Sequence, residues 1–207
     1  MVKNKKWQDR WVNKNNWPAS RFARRVFVFL KNKEKGALLD LGCGGGRDSL
    51  YFTRRGFRVA ALDVLESGRQ QAKFKKAGVE FIKNDIREMK LKSGSFDYIF
   101  AHLSLHYFSD KEISEITNTL YEALREGGYL FVKCKSIADP LFGRGKKLEE
   151  NFYEFKSMTR HFFSKEYMAE KLKKFRIVKI QKTNTFLHPC KASFIEAIAK
   201  KESNKKR

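Results

Sequence analysis

From Ala37 onward, short apolar runs alternate with amphipathic stretches. The pattern predicts strands at Ala37–Leu41, Phe57–Leu62, Val79–Lys83, Phe96–Ala101 and Tyr129–Cys134. Helices are predicted between them from about Arg47, from Ser67 and over Asp110–Arg125. Strands separated by helices imply a parallel sheet with right-handed crossovers. Gly127-Gly128 reads as the stop of the helix before the fifth strand. A helix over Ser164–Lys174 and strands near Arg176–Thr183 and Ala192–Ala199 bring the count to seven, with antiparallel pairing expected at the sheet edge.

Two stretches depart from this rhythm. Before Ala37, the segment Lys5–Lys33 carries Trp7, Trp11 and Trp17, then Phe22, Val26, Phe27 and Leu30 at helical spacing, with Pro18 as a break between two helices. It is expected to form a helical lid or brace, its tryptophans serving either as core anchors or in closing over a ligand. Between Lys135 and Phe163 the alternation is lost, and Asp139-Pro140, Gly143 and Gly145 mark an irregular excursion, read as an active-site insertion. The expected organisation is one domain: lid 1–35, core 36–134, insertion 135–163, the rest of the sheet 164–199 and a charged tail 200–207. His188-Pro189-Cys190 reads as a turn before the last strand.

Composition narrows the class. A chain of 207 residues with 42% hydrophobic residues has material for one sizeable core. The net charge of +22 invites an acidic partner such as RNA or an anionic surface. Lys and Arg are nevertheless scattered rather than gathered in one tract, which fits solvated surface equally well. Cys43, Cys134 and Cys190 are odd in number and form no CxxC pair, so neither a disulfide framework nor a metal site is expected, and a reducing cytoplasm fits. No apolar run approaches the roughly 20 residues of a membrane span.

The candidate chemistry starts at Leu38-Leu39-Asp40-Leu41-Gly42-Cys43-Gly44-Gly45-Gly46-Arg47, where a buried strand must turn sharply into a helix. Glycine permits φ > 0 and lets a ligand approach backbone, and the helix start offers free N–H groups. A P-loop would need Gly-Lys-Ser/Thr where this loop has Gly46-Arg47-Asp48. A dinucleotide fingerprint would want a small residue where Arg47 stands, and a pyrophosphate is ill matched to Asp40 and Asp48, whereas a cationic sulfonium and amine suit acidic surroundings. Asp63 ends the next strand about 20 residues on, the spacing that places a carboxylate on a ribose diol. Asp85 follows the third strand, where it could accept an adenine amino hydrogen beside the N–H of Ile86; taken alone it reads equally well as a turn residue.

In these features, in Phe96-Asp97-Tyr98-Ile99-Phe100 and in Leu124-Arg125-Glu126-Gly127-Gly128-Tyr129, the stretch Ala37–Cys134 resembles the class I S-adenosylmethionine (SAM) dependent methyltransferases. Gly46-Arg47-Asp48-Ser49-Leu50-Tyr51-Phe52 further resembles the small tellurite-resistance type and its relatives. The resemblance implies a Rossmann-like α/β fold, a seven-stranded mostly parallel sheet flanked by helices. It implies SAM as cofactor and S-adenosylhomocysteine (SAH) as product. The methionine moiety would lie at Gly42, Cys43 and Gly44, the ribose at Asp63 and the adenine at Asp85 and Ile86, with Asp40, Arg47 and Val64 nearby and Ala101, His102 and Leu103 flanking the cofactor.

Methyl transfer to an activated sulfonium carbon needs chiefly alignment and exclusion of water, so no obligatory catalytic motif is implied. Three residues are singled out for catalysis. His106 follows the fourth strand and reads as a base or a structural histidine. Arg160 and His161, in Arg160-His161-Phe162-Phe163, could hold an anionic acceptor; the competing reading has the phenylalanines plugging the core and the cations facing water. Arg144, Lys146, Tyr153 and Phe155 are further lid candidates. The reading favoured is methyl transfer to a small-molecule acceptor, a soft or anionic nucleophile, by a monomer or simple homodimer. The alternatives are an RNA methyltransferase and a non-catalytic SAM-binding protein.

Overall fold

The computed structural model describes residues 18–187 and 190–203; the expected first helix with Trp7, Trp11 and Trp17, and the turn at His188-Pro189, lie outside the described residues. The elements run α1 (Arg21–Leu30), β1 (Ala37–Leu41), α2 (Arg47–Thr53), β2 (Arg58–Asp63), α3 (Gly68–Ala77), β3 (Glu80–Lys83), β4 (Phe96–His102), α4 (Asp110–Ala123) and β5 (Leu124–Lys135). They continue with β6 (Lys146–Glu149), β7 (Phe152–Phe155), β8 (Met158–His161), α5 (Lys165–Lys171), β9 (Arg176–Leu187) and β10 (Cys190–Lys200). Seven strands form one sheet in the order β3-β2-β1-β4-β5-β10-β9. The first five pair in parallel, while β10 runs antiparallel to both β5 and β9. The expected antiparallel pairing therefore falls at this edge, with β10 between β5 and the outermost β9.

Strand side chains alternate between two covered faces, which is why the strands read as continuous apolar runs. Leu38, Tyr98, Phe100 and Phe131 point to the side of α1, α2 and α3, where they meet Phe22, Phe52 and Phe74. Leu39, Leu41, Ile99, Leu130 and Val132 point to the side of α4 and α5, against Ile113, Leu120 and Met168. The same parity sends Asp40, His102 and Lys133 to the α1 face at the carboxyl ends of their strands. Ligands of open α/β sheets bind at such ends, where the strand order reverses, here between β1 and β4.

Helix starts follow the local sequence. Ser67 with Gln70 and Ser109 with Glu112 each close a capping box, and the Ser164 hydroxyl accepts from the Tyr167 N–H at 3.0 Å, as its position before the apolar run predicts. Two expectations change. The helix before β5 stops at Ala123, because Leu124 is already extended and pairs with Phe96. Gly127-Gly128 is instead a bulge inside β5: pairing resumes only at Tyr98 with Tyr129, and the Gly127 N–H donates to the Lys201 carbonyl at 2.8 Å. Gly127 has φ +77°, and a Cβ on Gly128 would lie 2.9 Å from the carbonyl oxygens of Asp97 and Arg125, so both positions suit glycine. The excursion after β5 is not structureless either, since β6, β7 and β8 form a three-stranded antiparallel ribbon. The Thr159 hydroxyl ties this ribbon to the Tyr107 carbonyl at 3.1 Å.

Candidate active site

At the end of β1 the chain turns through Gly42, Gly44 and Gly46, with φ of +75°, +53° and +76°. The Gly42 and Cys43 N–H groups both donate to the Leu62 carbonyl, at 2.8 and 3.1 Å, which holds the loop against β2. A Cβ on Gly42 would come within 2.7 Å of the Ser104 Cβ, so the loop after β4 closes directly on the glycine loop. The Gln70 side chain, on α3, donates to the Gly44 carbonyl and braces the loop from the other side. Asp63 is fixed in turn: Oδ2 accepts from the Gly44 N–H and Oδ1 from the Leu65 N–H, each at 2.8 Å. Burial outweighs these hydrogen bonds and raises its pKa.

A cluster of acids lies behind the loop. Asp40 is buried, and its Oδ2 accepts from the Ser49 hydroxyl at 2.6 Å. Burial, with the neighbouring Asp48 charge added, pushes its pKa up to about 7. Asp48, the second residue of α2, accepts from the Ser20 N–H at 2.7 Å and faces His102 Nδ1 at 3.3 Å and Arg47 Nε at 3.8 Å. Burial opposes its ionisation, but His102, Arg47 and the Ser20 N–H together outweigh burial and hold Asp48 below the ordinary carboxylate range. For His102 burial wins over Asp48, so the imidazole is held below its usual pKa and is neutral near pH 7. On the far side, Arg87 grips Asp85 through Nη2 at 2.6 Å and Nε at 3.0 Å, and its Nη1 lies 3.5 Å from Glu112.

These groups line one cavity of about 1110 Å³. Of the residues expected at a cofactor, Asp40, Gly42, Cys43, Gly44, Arg47, Asp63, Val64, Asp85, Ile86, His102 and Leu103 all line it. Ala101 does not; it is fully buried on the opposite face of the sheet, among the α4 contacts. The three residues singled out for catalysis are not among the lining residues. His106 is 2% exposed, and burial holds its pKa well below the usual value. His161 is 1% exposed and stacks between Tyr167 and Phe152, at 4.8 and 5.5 Å between ring centroids. Phe162 and Phe163 are buried beside it, as the plug reading has it, but His161 does not face water as that reading also expects; Arg160 lies on β8 with Nη2 3.3 Å from the Met158 sulfur. Of the lid candidates, Tyr153 packs on Phe142 and Phe162 and, like Arg144, Lys146 and Phe155, is absent from the lining.

The cavity continues past Leu103 to Ser104, Tyr107, Phe108, Glu112, Phe152 and Thr159, and also takes in Arg87. Sequence reasoning did not single these out. Ser104 and Tyr107 were legible in principle, since both follow β4 at the carboxyl edge of the sheet. Phe152 and Thr159 were not, because only the folded ribbon brings them there.

Residues 38–128 match a sequence family described as a methyltransferase domain. A malonyl-[acyl-carrier protein] O-methyltransferase from Salmonella typhimurium is 30% identical over 106 residues, covering 51% of this chain and 41% of that protein. The chain thus spans less than half the length of the first curated relatives it matches. Among solved structures, 1,6-didemethyltoxoflavin-N1-methyltransferase from Burkholderia thailandensis superposes with a TM-score of 0.77 at 21% identity, over 98% of this chain and 85% of that one. TehB from Haemophilus influenzae gives 0.66 at 18% identity, over 97% and 67%. Residues 38–128 thus match a methyltransferase domain, and the fold of the whole chain, with its strand order, is that of the class I SAM-dependent methyltransferases.

Proposed function

We propose that this chain binds SAM along the glycine loop and transfers its methyl group to a small-molecule acceptor. The observation that carries the reading is the placement of Asp40, Asp63 and Asp85 around a single cavity, beside a loop with room for a ligand against backbone. Asp63, clamped by the Gly44 and Leu65 N–H groups, is set to accept from the two ribose hydroxyls. Asp85 and the Ile86 N–H address the adenine edge, and the half-exposed Val64 offers it an apolar contact. Gly42, Cys43 and Gly44 leave space for the methionine moiety, with Leu103 across from them. Asp40 fits a cationic ligand, since an acid titrating near 7 gains a partner when an ammonium or sulfonium approaches. Arg47, which lines the cavity beside Asp48, would face the methionine carboxylate.

The acceptor's place is the part of the cavity beyond Leu103, under the β6–β8 ribbon. Pockets for one drug-sized ligand run to about 300–1,000 Å³, so a cavity of about 1110 Å³ has space for the cofactor and a small partner together. Calorimetry with SAM tests the first half of the proposal: binding is expected, with a loss of at least about tenfold in Asp63→Ala, where a charged hydrogen-bond partner worth about 1.5–3 kcal/mol is removed. Unchanged affinity in that variant would sink the assignment of Asp63. Transfer of a labelled methyl group to a panel of small acceptors tests the second half.

A further inference from the structure

The structure assigns His102, oriented by Asp48, as the general base that takes a proton from the methyl acceptor, and so points to an aromatic acceptor that loses an O–H or N–H proton. This rests on the reading of the cavity as a methyl-transfer site and adds the class of acceptor to it.

His102 is the last residue of β4 and faces the α1 and α2 side, where its Nδ1 lies 3.3 Å from Asp48 Oδ2. Asp48 is itself held, its other oxygen taking the Ser20 N–H at 2.7 Å. The imidazole is flanked by Phe22 and Phe100, each 5.9 Å away between ring centroids. A carboxylate on Nδ1 fixes the tautomer with the proton there, leaving the lone pair on Nε2, the arrangement by which a histidine serves as base. The charged groups that act on His102 are Asp48 and Arg47 from α2 and Lys133 from β5; of these only Asp48 favours the imidazolium. His102 lines the same cavity as Tyr107, Phe108 and Phe152, whose rings suit a planar aromatic acceptor. His106 and His161, by contrast, are absent from that lining.

In the step itself, the acceptor oxygen or nitrogen forms its bond to the methyl carbon as the carbon–sulfur bond breaks, and that electron pair stays on sulfur. The acceptor proton passes to His102 Nε2 and then to solvent. A halide or a chalcogen oxyanion would need no such group.

Two measurements test this. Long-range ¹H–¹⁵N imidazole spectra of the full chain with SAH bound, assigned against His102→Gln, should show His102 with its proton on Nδ1, and Asp48→Asn should erase that preference. Methyl transfer at saturating SAM to a series of phenols graded in acidity should fall about 10²- to 10⁴-fold in His102→Gln, most for the least acidic phenol. The variant should also lose the limb in which the wild-type rate drops as pH falls through the His102 titration, while still binding SAH by calorimetry. A proton on Nε2, an unaltered rate and pH profile in His102→Gln, or transfer confined to iodide, selenite or tellurite would overturn the base assignment and leave methyl transfer standing. Failure to bind SAM, or transfer to no acceptor at all, would overturn both.

Discussion

Asp40 is buried beside Asp48 and lines the cavity, so a ligand there acts on its titration. Its pKa of about 7 in the folded protein lies far above the ordinary 3.8, so the folded state holds a proton there that the unfolded chain has released. Stability from this group is therefore fully present below pH 3.8 and is lost as pH rises through about 7. A cationic ligand reverses the balance, because it binds the ionised form. SAM affinity is expected to strengthen as pH rises through 7 and then level off. In thermal melts the stabilisation given by SAM should be larger at pH 8 than at pH 6, and Asp40→Asn should flatten that difference. A SAM effect independent of pH across this window would remove Asp40 from the ligand's surroundings. The titration of His102 is a separate matter, read at saturating SAM, and the two residues can thus be told apart.

At the scale of elements, the core and the cavity wall around the glycine loop were legible because they follow from local rules. A buried apolar run must stop, turn on glycine and start a helix, and Asp63 and Asp85 come at the ends of the strands that follow. The acceptor side was less legible for two physical reasons. The β6–β8 ribbon is held by pairings such as Tyr153 with Arg160 and by the tie from Thr159 to Tyr107, which have no periodic signature in the sequence. The end of β4 decided the histidines: His102, its last residue, reaches the cavity on the α1 face, whereas His106 lies beyond it on the 3-10 turn Leu105–Tyr107 and is buried out of the lining. The bulge at Gly127-Gly128 was misread as a helix stop because glycine serves both purposes, and only pairing across to Phe96 and Tyr98 distinguishes them. The ribbon's role gives a prediction of its own. Thr159→Val keeps the side-chain volume but removes the hydrogen bond to the Tyr107 carbonyl, a loss of about 1 kcal/mol. It should raise KM for the acceptor about fivefold, as that energy converts, while the calorimetric Kd for SAM stays put. An effect on SAM binding instead would mean that the ribbon organises the cofactor side.

For the whole molecule, the excess of 45 basic over 23 acidic residues acts differently inside and outside the fold. Inside, Glu196 on β10 gathers Lys133 from β5 at 3.0 Å, Arg25 from α1 at 2.5 Å and the side chains of Gln181 and Thr183 from β9. Burial raises the Glu196 pKa, but Lys133 and Arg25 outweigh it and hold the carboxyl below its usual range. Glu196→Ala would leave the buried Lys133 ammonium without its counter-charge, so a loss of roughly 3–5 kcal/mol is expected in denaturant unfolding. A loss below about 1 kcal/mol would mean that water reaches Lys133 in its place. Outside, the cations are spread over α1, α3, the ribbon and β9, and the cavity lining sets Arg47, Arg54, Lys73, Lys76 and Arg87 against Asp40, Asp48, Asp63, Asp85 and Glu112. Such a surface attracts phosphate backbones without reading them. Unmodified RNA is expected to bind weakly, with an affinity that falls about 10³- to 10⁵-fold between 50 and 200 mM salt if six to ten phosphates are engaged. RNA should neither compete with SAM nor accept the labelled methyl group. The outcome that would reverse this is methyl incorporation into RNA that persists at the higher salt, because a specifically seated nucleotide holds on through base and shape contacts that salt does not screen.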